Sequence, residues 1–324
     1  MRIRPSITPA QLVIAAALYV LLFLNLPFVS GLASAVEPSS IADIAFITVT
    51  LIVVLCLYVL ALTIVALPYA LKPVIVFVVL LSAATAYFMH EYGIVIDVNM
   101  IRNVFETQRA EVADLITPKL VGGLLAFGVL PAVFVATVPI AWPPMRTLVR
   151  QNLKRGVAVS IIAAFLIALF FADFSSFFRE QRALLQKLSP GNTINAVYKY
   201  AVLQSARPRG PLTSIGLDAH KSSVAVVGAR PTVVVLVIGE TARSNRFSLN
   251  GYGRATNPKL SQIDDLISFS NVSSCGTDTA QSVPCIFSGL GRASFSTEAA
   301  AGREDLLDVV RRVGFDVLWR ENQT

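Results

Sequence analysis

Charge is what this sequence has least of. Only 15% of its 324 residues are Asp, Glu, Lys or Arg, whereas a soluble domain carries about a quarter. With 55% hydrophobic residues and a mean hydropathy of +0.66, an entirely soluble protein is excluded and an integral membrane protein is indicated. Histidine is scarcer still. His90 ends an apolar run and His220 stands in a polar stretch, and neither has nearby partners that would give it a direct chemical role. The apolar runs lack internal charge and show no repeat, which argues against a transporter. The net charge of +7 is carried in large part by Lys and Arg flanking apolar runs. It therefore points to a membrane and not to nucleic acid.

The hydrophobicity is uneven. Residues 1–173 hold long uncharged runs, whereas 174–324 have the mixed polarity of a water-soluble piece. About 20 apolar residues cross a bilayer as a helix, and five runs qualify. They are Leu12 to Ala35, the stretch between Asp43 and Lys72, Pro73 to Met89, the stretch between Lys119 and Arg146, and Gly156 to Ala172. With the N-terminus inside, Arg2, Arg4, Lys72, Arg146, Arg150, Lys154 and Arg155 all fall on the inner side, as the positive-inside rule asks. Five spans then put everything after residue 173 outside the cytoplasm. Arg2, Arg4 and the LASA at 32–35 also resemble a cleaved signal peptide. The run is long for that, and a retained helix is expected.

The loop at 97–116, DVNMIRNVFETQRAEVADLI, carries Ile101, Val104, Phe105, Val112 and Leu115 on one helical stripe. Asn103, Thr107 and Glu111 recur every four residues on another. This predicts an amphipathic helix at the outer membrane surface. Its polar strip is either a solvated face or a contact for a cationic headgroup such as ethanolamine. Residues 174–230 read as a connector: two short helices with a turn at Ser189–Asn192, then a linker running to Pro231.

From residue 231 the pattern is α/β. TVVVLVIG (232–239) is a β-branched run of the kind buried on both faces. NPKLSQIDDL predicts a helix capped by Asn257, ISFSNV (267–272) a second strand and TAQSVPCIFSGL a helix start. EDLLDVVRRVG predicts an amphipathic helix ended by Gly314, and FDVLW a third strand. In such sheets ligands bind at the carboxyl ends of strands. Glu240 follows the first strand. Thr277 and Thr279 follow the second at a helix start, where free N–H groups and the helix dipole suit a phosphate. Either threonine could instead be a simple helix cap. Glu240 beside a hydroxyl supplies donors of the type a divalent metal takes. Cys275 and Cys285 bracket the hydroxyls on the oxidising side, where a disulfide is allowed. Cys56 lies within the second span as a buried thiol.

GETARSNRFSLNGYGRATNP together with NVSSCGTDTAQSVPC resembles the phosphoethanolamine transferases that modify lipid A, the family of the colistin-resistance enzymes. The likeness extends to the five-span N-terminus and to NMIRNVFET. It implies an alkaline-phosphatase-like, sulfatase-type domain on the periplasmic face of a Gram-negative inner membrane. The architecture expected is a five-helix membrane domain (1–173), a helical connector and linker (174–230) and the start of the catalytic domain (231–324). The resemblance further implies zinc held by Glu240 and Thr279, Thr279 as nucleophile, phosphatidylethanolamine as donor and lipid A as acceptor. Asn103, Thr107 and Glu111 match positions around the donor headgroup, and Cys275 with Cys285 matches a family disulfide. The residues alone do not choose among Thr277, Thr279 and Ser282; the resemblance does. The family's Asp-His pair and further histidines have no counterpart here, and the remaining zinc ligands are expected beyond residue 324. The chain reads as an incomplete N-terminal portion, inactive alone. A related enzyme with another headgroup or acceptor, such as a phosphoglycerol transferase, and a non-catalytic lipid-binding membrane protein are the competing readings.

Overall fold

The computed structural model describes residues 6–106, 115–205, 210–221, 233–239 and 242–320. The chain separates into two compact units, one reaching Gln204 and the other running from Ser205 to Gln323.

The first unit is helical. α1 (Pro9–Phe23) starts where Thr8 accepts from the Gln11 N–H at 3.3 Å and the Gln11 side chain returns to the Thr8 N–H at 2.9 Å. α2 (Leu26–Val36) follows at an angle of 58°. The first expected span is therefore a bent pair and not one straight helix. The cause is Pro27, which has no N–H to give the carbonyl of Phe23, the last residue of α1. Among the described residues, four further helices are long and apolar enough to cross a membrane: α3 (Ile41–Ile64), α4 (Leu71–Tyr92), α6 (Pro118–Thr137) and α7 (Met145–Leu169). Counting the bent pair as one gives up to five spans. α7 begins eleven residues before the expected Gly156, so Arg146, Arg150, Lys154 and Arg155 belong to its first turns and not to a loop. Arg, Lys and Leu are good helix formers, and the apolar run alone understated the helix. α6 contains a π turn at Leu125–Val129, one turn before Pro131. The Phe127 carbonyl, denied its donor by Pro131, accepts from the Tyr19 hydroxyl at 2.7 Å.

α1, α3 and α4 meet in one core built on Val13, Val20, Leu62, Leu71, Ile75 and Val79. At one end of the unit, Ile7 pairs with Ile140 and the Lys72 ammonium donates to the Ala136 carbonyl at 2.8 Å. α3 and α7 pack along each other, and the Asn152 side chain donates to the Ala66 carbonyl beyond the end of α3 at 2.9 Å. At the other end lies α5 (Val98–Glu106), whose Ile101 is buried with Met89, Ile96 and Ala196.

The expected pair of connector helices is present as α8 (Phe171–Glu180), the short α9 (Arg182–Leu185) and α10 (Gly191–Ser205). The turn at Ser189 is inserted among the membrane helices. Asn25, fully buried at the bend between α1 and α2, donates to the Val20 and Ser189 carbonyls, each at 2.9 Å. Its side-chain oxygen accepts from the Ser189 N–H at 2.8 Å, and the Tyr58 hydroxyl donates to the Ser189 carbonyl at 2.7 Å. Nearby, Asn192 donates to the Ile96 carbonyl at 2.7 Å.

The second unit departs from expectation in its strands. Among the described residues none of the three expected strands forms a ladder; residues 233–239 have no strand partner. Val233 to Val237 remain 59–81% exposed, and Ile267, Phe269, Val272 and Leu318 are exposed too. Their composition specifies burial on both faces, but a strand exists only beside another that takes its hydrogen bonds. The helix expected after Asn257 shrinks to a single turn at Leu260–Gln262. The helices at Thr279 and Leu306 are present, as α11 (Thr279–Phe287) and α13 (Leu306–Arg312), the latter with an Asp305 capping box and Gly314 in the left-handed region at φ 88°. α12 (Thr297–Ala301), capped by Ser296, went unforeseen.

The stretch expected to be linker is partly ordered structure. Thr213 pairs with residues 302–304 through two backbone bonds of 3.0 Å. Arg312 pairs with Glu304 and also donates to the Ile215 carbonyl at 2.8 Å. Lys221 donates to the Gly314 carbonyl at 2.5 Å and lies 4.6 Å from the Phe315 ring centre.

Two predictions follow from these contacts. Asn25→Leu leaves the Ser189 N–H without its partner in an apolar setting, while the Val20 and Ser189 carbonyls keep the Leu24 N–H and the Tyr58 hydroxyl. It is expected to destabilise the first unit by about 2 kcal/mol, read as a lowered Tm in detergent; an unchanged Tm would contradict the clamp. The Glu304 carboxyl lies below its ordinary range because Arg312 hydrogen-bonds to it. A depressed carboxylate stabilises above its unfolded pKa and loses that contribution as pH falls through the folded value. Glu304→Gln should therefore flatten the acid limb of the second unit's stability below about pH 4, followed by pH-dependent unfolding.

Candidate functional site

The hydroxyl cluster lies on a loop that leads into α11. Asp278 is the cap: its side chain accepts from the Gln281 N–H at 3.0 Å. Neither Thr277 nor Thr279 fills that role. Thr277 precedes the cap and is exposed, Thr279 is the exposed first residue of the helix, and Ser282 lies half-buried one turn on. The Asp278 carbonyl accepts from the N–H of Gln281 at 3.2 Å and of Ser282 at 3.0 Å. The sequence carried the signal in Asp278-x-x-Gln281, a cap residue followed three positions later by an amide side chain.

Three devices hold this helix start. The first is the Cys275–Cys285 disulfide, which ties the approach loop to the last turn of α11 with the Cα atoms 6.3 Å apart. The second is Ser274, whose hydroxyl donates to the Gly276 carbonyl at 2.6 Å and accepts from the Gly276 N–H at 3.3 Å. The third is a close approach. A Cβ on Gly276 would come within 2.9 Å of Gln281 Cβ and 3.0 Å of its Cδ. At the far end Phe287 is buried, edge-on to Trp319 with ring centres 5.9 Å apart. Pro284 inside the helix withholds a donor from the Ala280 carbonyl.

The loop after the first expected strand folds on itself. Thr256 accepts from the Ser248 N–H at 2.9 Å and donates to the Arg246 carbonyl at 2.7 Å. The Arg246 guanidinium donates to the Tyr252 hydroxyl at 2.9 Å. Glu240 lies outside the described residues, as do Thr107 and Glu111. Asn103 sits on the exposed side of α5, opposite buried Ile101. One turn on from Ile101, Phe105 stacks on Tyr200 of α10 with ring centres 5.3 Å apart and planes 3° apart.

The described residues do not by themselves fit zinc. Tetrahedral zinc takes four ligands. Here Thr279 offers one oxygen, the neighbouring Asp278 oxygen is engaged as a cap, and no three His, Cys, Asp or Glu side chains gather among the described residues. The arrangement offers a hydroxyl at a helix N-terminus, where positive dipole and first-turn N–H groups stabilise an anionic phosphoryl group.

The chain thus joins a helical unit with up to five candidate membrane spans to a second unit in which a hydroxyl stands at a disulfide-braced helix start. Residues 54–205 match the family model described as phosphoethanolamine transferase EptA/EptB, and residues 232–324 match the sulfatase model. The chain is 36% identical over 322 residues to phosphoethanolamine transferase EptA of Escherichia coli K12, covering 98% of this chain and 58% of that protein. It is 35% identical over 325 residues to phosphatidylethanolamine transferase Mcr-1 of Escherichia coli, covering 99% and 59%. Among solved structures, the integral membrane lipooligosaccharide phosphoethanolamine transferase A of Neisseria meningitidis superimposes with a TM-score of 0.84 at 30% identity, covering 96% of this chain and 57% of that one. The chain belongs to the phosphoethanolamine transferase family, and it spans 58–59% of the length of the two Escherichia coli relatives just named.

Gly276→Ala should push Gln281 aside and loosen the Asp278 cap, costing about 1 kcal/mol. Gly291→Ala, where nothing lies within 4 Å of an added Cβ, is the control. Thermal unfolding of the two variants checks this, and equal midpoints would show that Gly276 is not constrained by Gln281.

Proposed function

We propose that this chain is the membrane and nucleophile-bearing part of an enzyme that moves phosphoethanolamine from phosphatidylethanolamine to lipid A. In this reading the second unit lies in the periplasm and the first in the inner membrane of a Gram-negative cell. The orientation rests on the gathering of Arg and Lys at the inner ends of the spans.

The observation that carries the reading is the position of Thr279. It is the one hydroxyl of the cluster in the first turn of α11, and Asp278 relieves it of capping duty. In the first step the Thr279 oxygen attacks the donor phosphorus. The phosphorus–oxygen bond to glycerol breaks, and diacylglycerol leaves as the alcohol with the threonine proton. The product is a phosphoethanolamine ester on Thr279. In the second step a lipid A phosphate oxygen attacks the same phosphorus and the threonine hydroxyl is restored. The helix N-terminus favours the charge that gathers on the phosphoryl oxygens in both steps. Zinc is part of this reading, with Glu240 and Thr279 among its ligands, and bound there it would lower the hydroxyl pKa. Asn103, Thr107 and Glu111 are assigned to the donor headgroup, whose ammonium suits a carboxylate. The acceptor reading draws on the structural neighbour named for lipooligosaccharide, at 30% identity, and on the relatives named for Kdo(2)-lipid A, at 26%.

The test is a chimera in which this chain replaces the matching part of the Escherichia coli K12 relative. Lipid A from cells carrying it should gain phosphoethanolamine by mass spectrometry. Thr279→Ala should abolish the adduct, a loss of at least about 100-fold as for a removed nucleophile, while Thr277→Ala retains measurable transfer. Equal residual transfer in the two variants would overturn the assignment, and no adduct with the unaltered chain would overturn the function.

A further inference from the structure

The membrane unit carries a second feature at its basic end. A cavity of about 520 Å³ opens between α3 and α7, within the ordinary size range of ligand sites. Its walls are apolar: Leu60 and Ile64 from α3 face Val149, Leu153, Val157 and Ile161 from α7. Thr63 and Asn152 also line it, the latter already committed to the Ala66 carbonyl at 2.9 Å.

Helical spacing places Arg146 on the cavity-lining side of α7 and Arg150 at its edge, whereas Lys154 lies off that face. Arg146 precedes Val149 and Arg150 precedes Leu153 by three residues, so these two side chains neighbour cavity-lining ones. All three basic residues are exposed. No acidic residue occurs in α7, and in α3 the only one is Asp43, at the opposite end of the helix from Ile64. The groove is therefore an apolar slot with positive charge at its mouth and no negative charge along its length.

We propose that this groove holds an acyl chain of an anionic phospholipid from the leaflet at the basic end of the unit, with Arg146 and Arg150 taking its headgroup. Charge decides the occupant. Two guanidinium groups with no carboxylate partner among the described residues favour a headgroup with net negative charge over a zwitterionic one. The site is thus distinct in chemistry from the donor reading, which takes zwitterionic phosphatidylethanolamine beside α5. It is independent of that reading, since it needs neither Thr279 nor transfer.

The experiment is native mass spectrometry of the full chain released from membranes of acyl-matched phosphatidylglycerol and phosphatidylethanolamine. One phosphatidylglycerol should be retained preferentially, by about 25-fold if each arginine contributes a typical near-surface charge interaction. Arg146→Gln/Arg150→Gln should bring the preference close to unity, whereas Arg146→Lys/Arg150→Lys keeps it. Gly156→Leu tests the slot. An added Cβ there stands 3.6 Å from Leu60 Cδ1, an ordinary contact, so the rest of the side chain enters the groove. This variant should lose the bound lipid with its charges intact. Equal retention of the two lipids by the unaltered chain overturns the proposal without any variant. Preference that survives the double glutamine change, or retention that survives Gly156→Leu, overturns it as well.

Discussion

The membrane unit is governed by one rule: a backbone carbonyl in apolar surroundings needs a donor. Where its helices are interrupted, side chains donate to backbone carbonyls, and at Pro131 and past the end of α3 they stand in for a missing helical donor. At the bend between α1 and α2, Asn25 donates to the Val20 carbonyl. At Pro131, Tyr19 reaches across from α1 to the Phe127 carbonyl. Past the end of α3, Asn152 of α7 donates to the Ala66 carbonyl. These bonds do more than settle local debts. The first also captures Ser189, 164 residues away in sequence, and so fixes where the connector leaves the membrane helices. The second locks α1 to α6, and the third aligns α3 with α7 along the groove. An Asn or Tyr is tolerated among so many apolar residues because losing it would strand a backbone group.

That rule also explains what could be read in the sequence. Long uncharged runs announce spans by composition, so the run count was legible. The bend was not, because the consequence of Pro27 depends on whether α1 has already ended. The early start of α7 was hidden by treating Arg146, Arg150 and Lys154 as loop residues, although long side chains on a helix end can reach past the apolar region to the polar boundary. The Asn25–Ser189 clamp had no local signature at all. In the cluster at 273–285 the opposite holds, because caps are local. The choice of Asp278 over its neighbouring threonines was available from its spacing to Gln281. The role of Gly276 was not, since it depends on where the Gln281 side chain turns.

Strand expectations failed for a related reason. The run at 233–237 is as β-branched as a buried strand should be, and composition specifies the environment a strand wants. It does not supply the neighbouring strand. Among the described residues none stands beside this run, and its side chains remain exposed. The same residues open the match to the sulfatase model at 232–324. The likeness and the unpaired run therefore concern one segment, seen first as family pattern and then as unburied surface.

The two units consequently rest on different physics. In the first, buried apolar side chains from several helices form continuous cores. In the second, Phe287 is the one hydrophobic residue fully buried among those described. Apolar burial supplies about 1.5–3 kcal/mol per large side chain, so a single such residue cannot offset the entropy of ordering its surroundings. What holds this unit is a set of individual bonds: the Cys275–Cys285 bond, the Asp278, Ser296 and Asp305 caps, the Glu304–Arg312 pair and the long-range Thr213 bridge. Two of these, the disulfide and the Asp278 cap, belong to α11. A disulfide narrows the unfolded ensemble of the short loop it closes regardless of how much core surrounds it. The start of α11, where Thr279 stands, is therefore the part of the second unit whose geometry depends least on burying Val233–Val237. A nucleophile needs its position fixed more than its neighbourhood buried, and the cysteine pair supplies that at the point where the chemistry is proposed.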